Sequence, residues 1–133
     1  MNDLGLTRIA TDKPELTRPS VDGIVTSTAD LLQRTLDVLR RGGWNPSGYG
    51  VAPPWCIRRA VSQVVAEAYR YGAGIPDDQV EMVRGNAAAL ARQAVSRVIG
   101  QPLGLIASWE GDEKRTAADV EAVLEKAVAE VLA

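Results

Sequence analysis

Apolar residues recur at helical spacing in four stretches of this chain, and glycine or proline separates each stretch from the next. Between about 28 and 41, Leu32, Leu36 and Leu39 are spaced by four and three, which places them on one helical face. Ser27 or Thr28 can cap this helix and Asp30 suits the positive end of its dipole. Arg40 and Arg41 suit the negative end, and Gly42-Gly43 stops the helix. A second helix is predicted over about 54–71, with proline tolerated in its first turn and Gly72 and Gly74 beyond its end. Ile57, Val61, Val64, Val65 and Ala68 form its stripe. The third, about 77–99, carries Val80, Val83, Ala87, Leu90, Ala91, Ala94, Val95 and Val98 and is capped by Asp77. Gly85 lies within it and predicts a close helix crossing. The last helix, about 117–132, has Thr116 as its N-cap and Asp119 three residues on, an aspartate form of the capping box. Val120, Val123, Leu124, Ala127 and Val131 face its core.

What lies between the helices is irregular. Residues 1–25 lack a sustained period and read as an extended or mobile arm, which Leu4, Leu6 and Ile9 could anchor. Residues 26–133 then form a single domain. The segment 44–54 holds Asn45-Pro46, Gly48, Gly50 and Pro53-Pro54, so it is a loop, and Trp44, Tyr49 and Trp55 crowd it. Such a loop is either a structured lid on the core or a recognition surface. Leu103, Leu105, Ile106 and Trp109 make a short apolar segment, a turn or a one-turn helix that plugs the core. The predicted fold is all-α, a compact bundle of about four helices behind an irregular N-terminal arm.

Composition narrows the chemistry. Phe is absent, so small aliphatic side chains must build the core. Histidine is also absent, which removes the commonest general acid-base group and the commonest metal ligand. Ser-His-Asp and Cys-His nucleophiles are excluded within this chain, and one cysteine without histidine excludes the usual structural zinc sites. No glycine-rich run leads into Lys-Ser or Lys-Thr, so there is no phosphate loop of the usual kind. The expectation is a protein that is not an enzyme and needs no cofactor or metal. Cys56 cannot form an intramolecular disulfide, and the first residues lack the basic and apolar regions of a signal peptide. No apolar run approaches the roughly 20 residues that span a bilayer. Together these point to the cytoplasm, with no membrane partner.

Charge is unevenly spread. The whole chain carries −2, but residues 33–72 hold Arg34, Arg40, Arg41, Arg58, Arg59 and Arg70 against Asp37 and Glu67. Residues 73–133 are acidic overall. The two regions could pair within the fold or between copies, or the basic one could meet an acidic partner. Glu110, Asp112 and Glu113 cluster beside Trp109 but lack the ligand order of a calcium loop, and they read as a solvated loop before a capped helix. Cys56, near two arginines at a helix start, has the setting of a reactive thiol, yet no base accompanies it and burial among the aromatics is the simpler reading.

Gly43-Trp44 after the first helix, Cys56 at the second helix start with Ala60 following, and Trp109 with Arg115-Thr116 leading into Val120 and Ala127 form a pattern. It resembles a small uncharacterised helical domain family of actinobacteria and actinophages. In that family a Gly-Trp turn precedes a Cys-x-x-Gly-Ala helix start, and a Trp-Asn-Asp…Arg-Thr segment opens the last helix. The resemblance spans about residues 27–132. This chain departs at Arg59, where the family has glycine, and at Glu110-Gly111, where it has Asn-Asp. The resemblance implies the order of the helices and an actinobacterial or phage origin, which the richness in Val, Ala and Arg also suits. It implies no activity.

The function these readings favour is a non-enzymatic protein–protein interaction module, such as a phage or accessory factor that binds a host protein. Trp, Tyr and Arg dominate binding hot spots. The expected contact residues are therefore Trp44, Tyr49 and Trp55 with Arg40, Arg41, Arg58 and Arg59. The small-residue face of the third helix offers a homodimer contact instead. The alternative function is nucleic-acid binding through the basic segment 34–70, against which stand the acidic pI and the lack of a helix-turn-helix pattern carrying the arginines.

Overall fold

The computed structural model describes residues 27–48, 52–102 and 105–133. The predicted N-terminal arm and Tyr49 lie outside the described residues. The described chain is all-α, and it has five helices rather than about four: α1 (Thr28–Gly42), α2 (Ile57–Ala68), α3 (Asp77–Ile99), α4 (Ile106–Glu110) and α5 (Ala117–Leu132). The additional helix is α4, a single turn formed where the apolar segment 103–109 was expected to plug the core. Its Ile106 is buried there.

Three of the helix ends obey their local signals. The Ser27 side chain accepts the Asp30 N–H at 3.1 Å and starts α1. Gly43, at φ +90°, closes α1 by donating its N–H to the Leu39 carbonyl. At α5, Thr116 and Asp119 form the reciprocal capping box: the Asp119 N–H donates to the threonine hydroxyl at 3.2 Å and the Thr116 N–H donates to the aspartate at 3.0 Å. Two backbone donors without helical partners are thereby satisfied.

Other expectations need correction. α2 begins at Ile57, not 54, because the backbone before it is engaged elsewhere. Trp55 donates to the Gly43 carbonyl at 3.0 Å and accepts from Asn45 N–H at 3.0 Å, while the Cys56 N–H reaches the Gly48 carbonyl. Residues holding that parallel bridge cannot also be in a helix. α2 also stops at Ala68, short of 71. There the Arg84 guanidinium donates to the Tyr69 carbonyl at 2.8 Å and to the Ala66 carbonyl at 3.3 Å, replacing a further helical turn. Asp77 is not the cap of α3. Pro76 precedes the helix with no side-chain cap bond, and Asp77 and Asp78 sit in the first turn as dipole partners. Gly85 marks no helix crossing, since a Cβ placed there would meet nothing within 4 Å.

The core gathers one stripe from each long helix. Leu31, Leu32, Leu36 and Leu39 of α1 meet Ile57, Val61 and Val64 of α2, Val80, Ala87, Ala91 and Val95 of α3, and Val120, Leu124 and Ala127 of α5. Leu90 and Val98 are only half-buried, because the burial stripe of α3 turns toward Ala88 instead. Tyr69 is fully buried beyond the end of α2. α1 lies against α5 and α2, and α3 closes the bundle across α5 and α2. With no Phe available, each buried Leu or Val contributes roughly 1.5–3 kcal/mol through removal from water. No helix among the described residues is long and apolar enough to cross a membrane.

Candidate functional site

The aromatic loop folds back on the core. Gly42 lets it do so: a Cβ there would stand 2.8 Å from the Pro53 Cβ and 3.0 Å from the Trp55 indole nitrogen, so glycine is what allows the loop to seat on the end of α1. Trp55 is buried, and Trp44 is half-buried against the same cluster.

Between loop and bundle lies a buried carboxylate. Glu110, only 3% exposed, accepts the Trp44 indole N–H at 2.6 Å and the Ile57 backbone N–H at 2.7 Å. Burial raises its carboxyl above the ordinary carboxylate range, and the two donated hydrogen bonds pull in the opposite direction. The position has an electrostatic logic. α2 has no acidic residue in its first turn and instead opens with Arg58 and Arg59, the wrong sign for the positive end of a helix dipole. Glu110 brings in the missing negative charge from α4. Cys56 completes this helix start from within the chain, its buried sulfur accepting the Arg59 N–H at 3.4 Å.

The expected acidic loop is thereby divided. Glu110 is not solvated but locked inside, because α4 turns it toward α2. Asp112 holds the following turn by accepting the Lys114 N–H at 2.9 Å. Arg115 covers the Trp109 ring at 3.9 Å from its centroid and donates to the Trp109 carbonyl. Among the described residues, no three Cys, Asp or Glu side chains come together as a metal ion would require.

The arginines have separate fates. Arg40 is exposed and bonds Glu121 at 3.0 Å and Glu125 at 2.7 Å, joining α1 to α5 and realising within one chain the expected pairing of basic and acidic regions. Its guanidinium pKa rises, first through these hydrogen bonds. Arg41 is exposed nearby. Arg58 and Arg59 turn to the opposite neighbour and line a groove of about 490 Å³ between α2 and α3, together with Arg84 and Arg92. Glu81 is the acidic residue lining it. Arg84 is fixed by the α2 carbonyls and lies 5.1 Å from the Tyr71 ring centre. Arg58, Arg59 and Arg92 make no ion pair among the described residues, and the Arg59 Nε is buried without a hydrogen-bond partner.

Of the residues expected to form one contact surface, then, Trp44 and Trp55 share the core lid and Arg40 belongs to the α1–α5 contact. Arg58 and Arg59 meet partners that local sequence conceals. Arg84 and Arg92 lie in the acidic part of the chain, and only the docking of α3 on α2 brings them to the basic segment. The small-residue face of α3, with Ala87, Ala91 and Ala94, is buried within the monomer.

A family model matches residues 24–130, from just before α1 to the last turn of α5. The chain belongs to DUF6197, a family of unknown function. No curated protein and no solved structure matches it. The DUF6197 match therefore covers the buried Glu110 lock and the arginine groove alike, without attaching an activity to either.

Proposed function

We propose that this chain is a non-enzymatic protein-interaction module that grips an acidic surface of a partner through the groove between α2 and α3. One observation carries the reading: four arginines line a single groove in which Glu81 is the acidic residue. The arginine fork binds carboxylates and other oxyanions in two-point geometry and loses little freedom in doing so. The lid residues Trp44 and Trp55 serve the fold, so the contact surface moves from the aromatic loop to Arg58, Arg59 and Arg92. Nucleic-acid binding is the weaker reading because Trp44 and Trp55, packed into the lid, offer no free ring on which a base could stack. We place the module in the cytoplasm of an actinobacterium, with a host protein as the partner of a phage-encoded copy.

The test is affinity capture from a host lysate, comparing the natural chain with an Arg58→Glu/Arg92→Glu variant and an Arg41→Glu control. The expected result is a protein retained by the natural chain and the control and lost by the double variant, whose melting temperature is unchanged. Equal capture by all three refutes the groove as the contact. Capture abolished by nuclease moves the assignment to nucleic acid.

A further inference from the structure

The groove contains an unanswered charge at a defined place. A guanidinium remains charged at any ordinary pH, and a buried donor without an acceptor is uncommon in a folded protein. The Arg59 Nε is such a donor among the described residues. The acids that contact α2 or line the groove are engaged elsewhere, and Glu110, at the start of α2, is taken up by the Trp44 indole and the Ile57 N–H. Glu67 accepts the Gln63 amide at 2.9 Å. Glu81 accepts the Tyr71 hydroxyl at 2.7 Å and pairs with Arg84 at 3.6 Å. Arg84 is itself held by the Ala66 and Tyr69 carbonyls at the far end of α2. Arg84 of α3 meets the end of α2, and Arg92, about two turns further along α3, lines the same groove as Arg58 and Arg59 of the α2 start.

We infer that this end of the groove is a binding site for a phosphate dianion, seated on the Arg59 guanidinium and flanked by Arg58, Arg92 and the Ser62 hydroxyl. The assignment deepens the interaction reading above and rests on it. One carboxylate would answer one arginine fork and leave two cations uncompensated. A phosphomonoester offers two charges and three acceptor oxygens, which suits several arginines at once. Clustered arginines are the recurrent means of recognising phosphorylated segments. The phosphate can arrive on a side chain of the partner or on a free metabolite, since the chemistry seated on Arg59 is the same.

The experiment titrates the full chain with inorganic phosphate at constant ionic strength, following the Arg59 Nε–H resonance by NMR and the heat of binding. Saturable binding is expected, with a shift at Arg59 and a loss of about tenfold or more in Arg59→Lys, which keeps the charge but not the fork. Arg41→Lys serves as the control that does not change. A phosphate response no larger than that of chloride, or Arg59→Lys binding as well as the natural chain, overturns the site. A phosphoserine peptide that binds more tightly than a sugar phosphate supports a partner-borne phosphate, and the reverse order supports a free one. A glutamate-substituted peptide that matches the phosphoserine peptide overturns the assignment, as does a phosphodiester oligonucleotide that outcompetes both. If lysate capture depends on Arg58 and Arg92 while phosphate fails to bind, only the phosphate assignment falls. If phosphate binds and capture ignores those arginines, the interaction reading falls instead.

Discussion

Glu110 reaches back across 66 residues of chain to accept the indole N–H of Trp44 at 2.6 Å. The same oxygen takes the first N–H of α2, from Ile57. One buried carboxylate oxygen therefore joins three pieces: the short α4, the aromatic loop and the start of α2. The loop could not stay seated by apolar packing alone without leaving the indole N–H and the helix-end N–H unsatisfied inside the protein.

This arrangement separates two substitutions at one position. Glu110→Ala strips both donors of their acceptor and opens a void, and it should cost about 2–4 kcal/mol in urea-unfolding free energy. Glu110→Gln keeps the shape and a carbonyl acceptor while removing a charge that burial disfavours, and it should change stability by less than about 1.5 kcal/mol at neutral pH. Trp44→Phe removes the N–H together with part of the indole ring. In a double-mutant cycle it should couple to Glu110→Ala by about 0.5–3 kcal/mol, and strict additivity would show that the bond does not hold the lid.

The raised pKa of Glu110 gives a pH dependence of definite sign. Above its ordinary value of 4.5 and below its raised folded value, the native state binds the Glu110 proton more than the unfolded chain does. Stability from this group is therefore fully present below the ordinary value and falls as pH rises, levelling once the folded value is passed. The other carboxylates are common to both proteins. The difference in unfolding free energy between the natural chain and Glu110→Gln should thus fall from acid toward neutral pH. A difference that is flat or rises across that range contradicts the burial-driven shift.

The parts of the fold legible from sequence are those decided within one helical turn. Thr116 and Asp119 are three residues apart and Ser27 caps its own helix, so each could be read without knowing what packs where. Leu32, Leu36 and Leu39 likewise declare a face by spacing alone. Glu110 is hidden in the sequence because its partners lie 53 and 66 residues away, and nothing beside it distinguishes a buried carboxylate from a solvated one. The glycine signal at Gly85 misled because chain flexibility and close approach leave the same mark on a sequence. The arginine groove is half legible: Arg58 and Arg59 stand out in a basic segment, whereas Arg92 sits alone in an alanine-rich stretch of the net-acidic half and joins them only when α3 docks on α2.

The two ways α1 and α5 meet should differ sharply in weight. Leu124 is fully buried between them, and Leu124→Ala should cost about 2–5 kcal/mol by removing transfer energy and leaving a cavity. The Arg40 contacts with Glu121 and Glu125 lie on the outside of the same interface. Exposed ion pairs are screened by water and salt, so Arg40→Ala should leave the melting temperature nearly unchanged and any small effect should vanish in high salt. Thermal unfolding of both variants at low and high salt checks the order.

Gly42 offers the most local test of how the lid is seated. It is the last residue of α1, where alanine would ordinarily favour the helix by about 1 kcal/mol. Here the added methyl would face the Pro53 ring at 2.8 Å, closer than a methyl group tolerates, and the Trp55 indole at a tight 3.0 Å. Pro53 is part of a stiff ring and Trp55 is buried and bonded through its backbone to Gly43 and Asn45, so neither can swing aside cheaply. Overpacking should therefore outweigh helix propensity, and Gly42→Ala should destabilise by about 1–3 kcal/mol. Gly85→Ala lies in open space within α3 and should do the opposite, gaining roughly 0.5–1 kcal/mol. Unfolding the two variants side by side reads both signs. If Gly42→Ala stabilised as much as Gly85→Ala, the loop would not rest on the end of α1, and the path by which Trp44 reaches Glu110 would have to be redrawn.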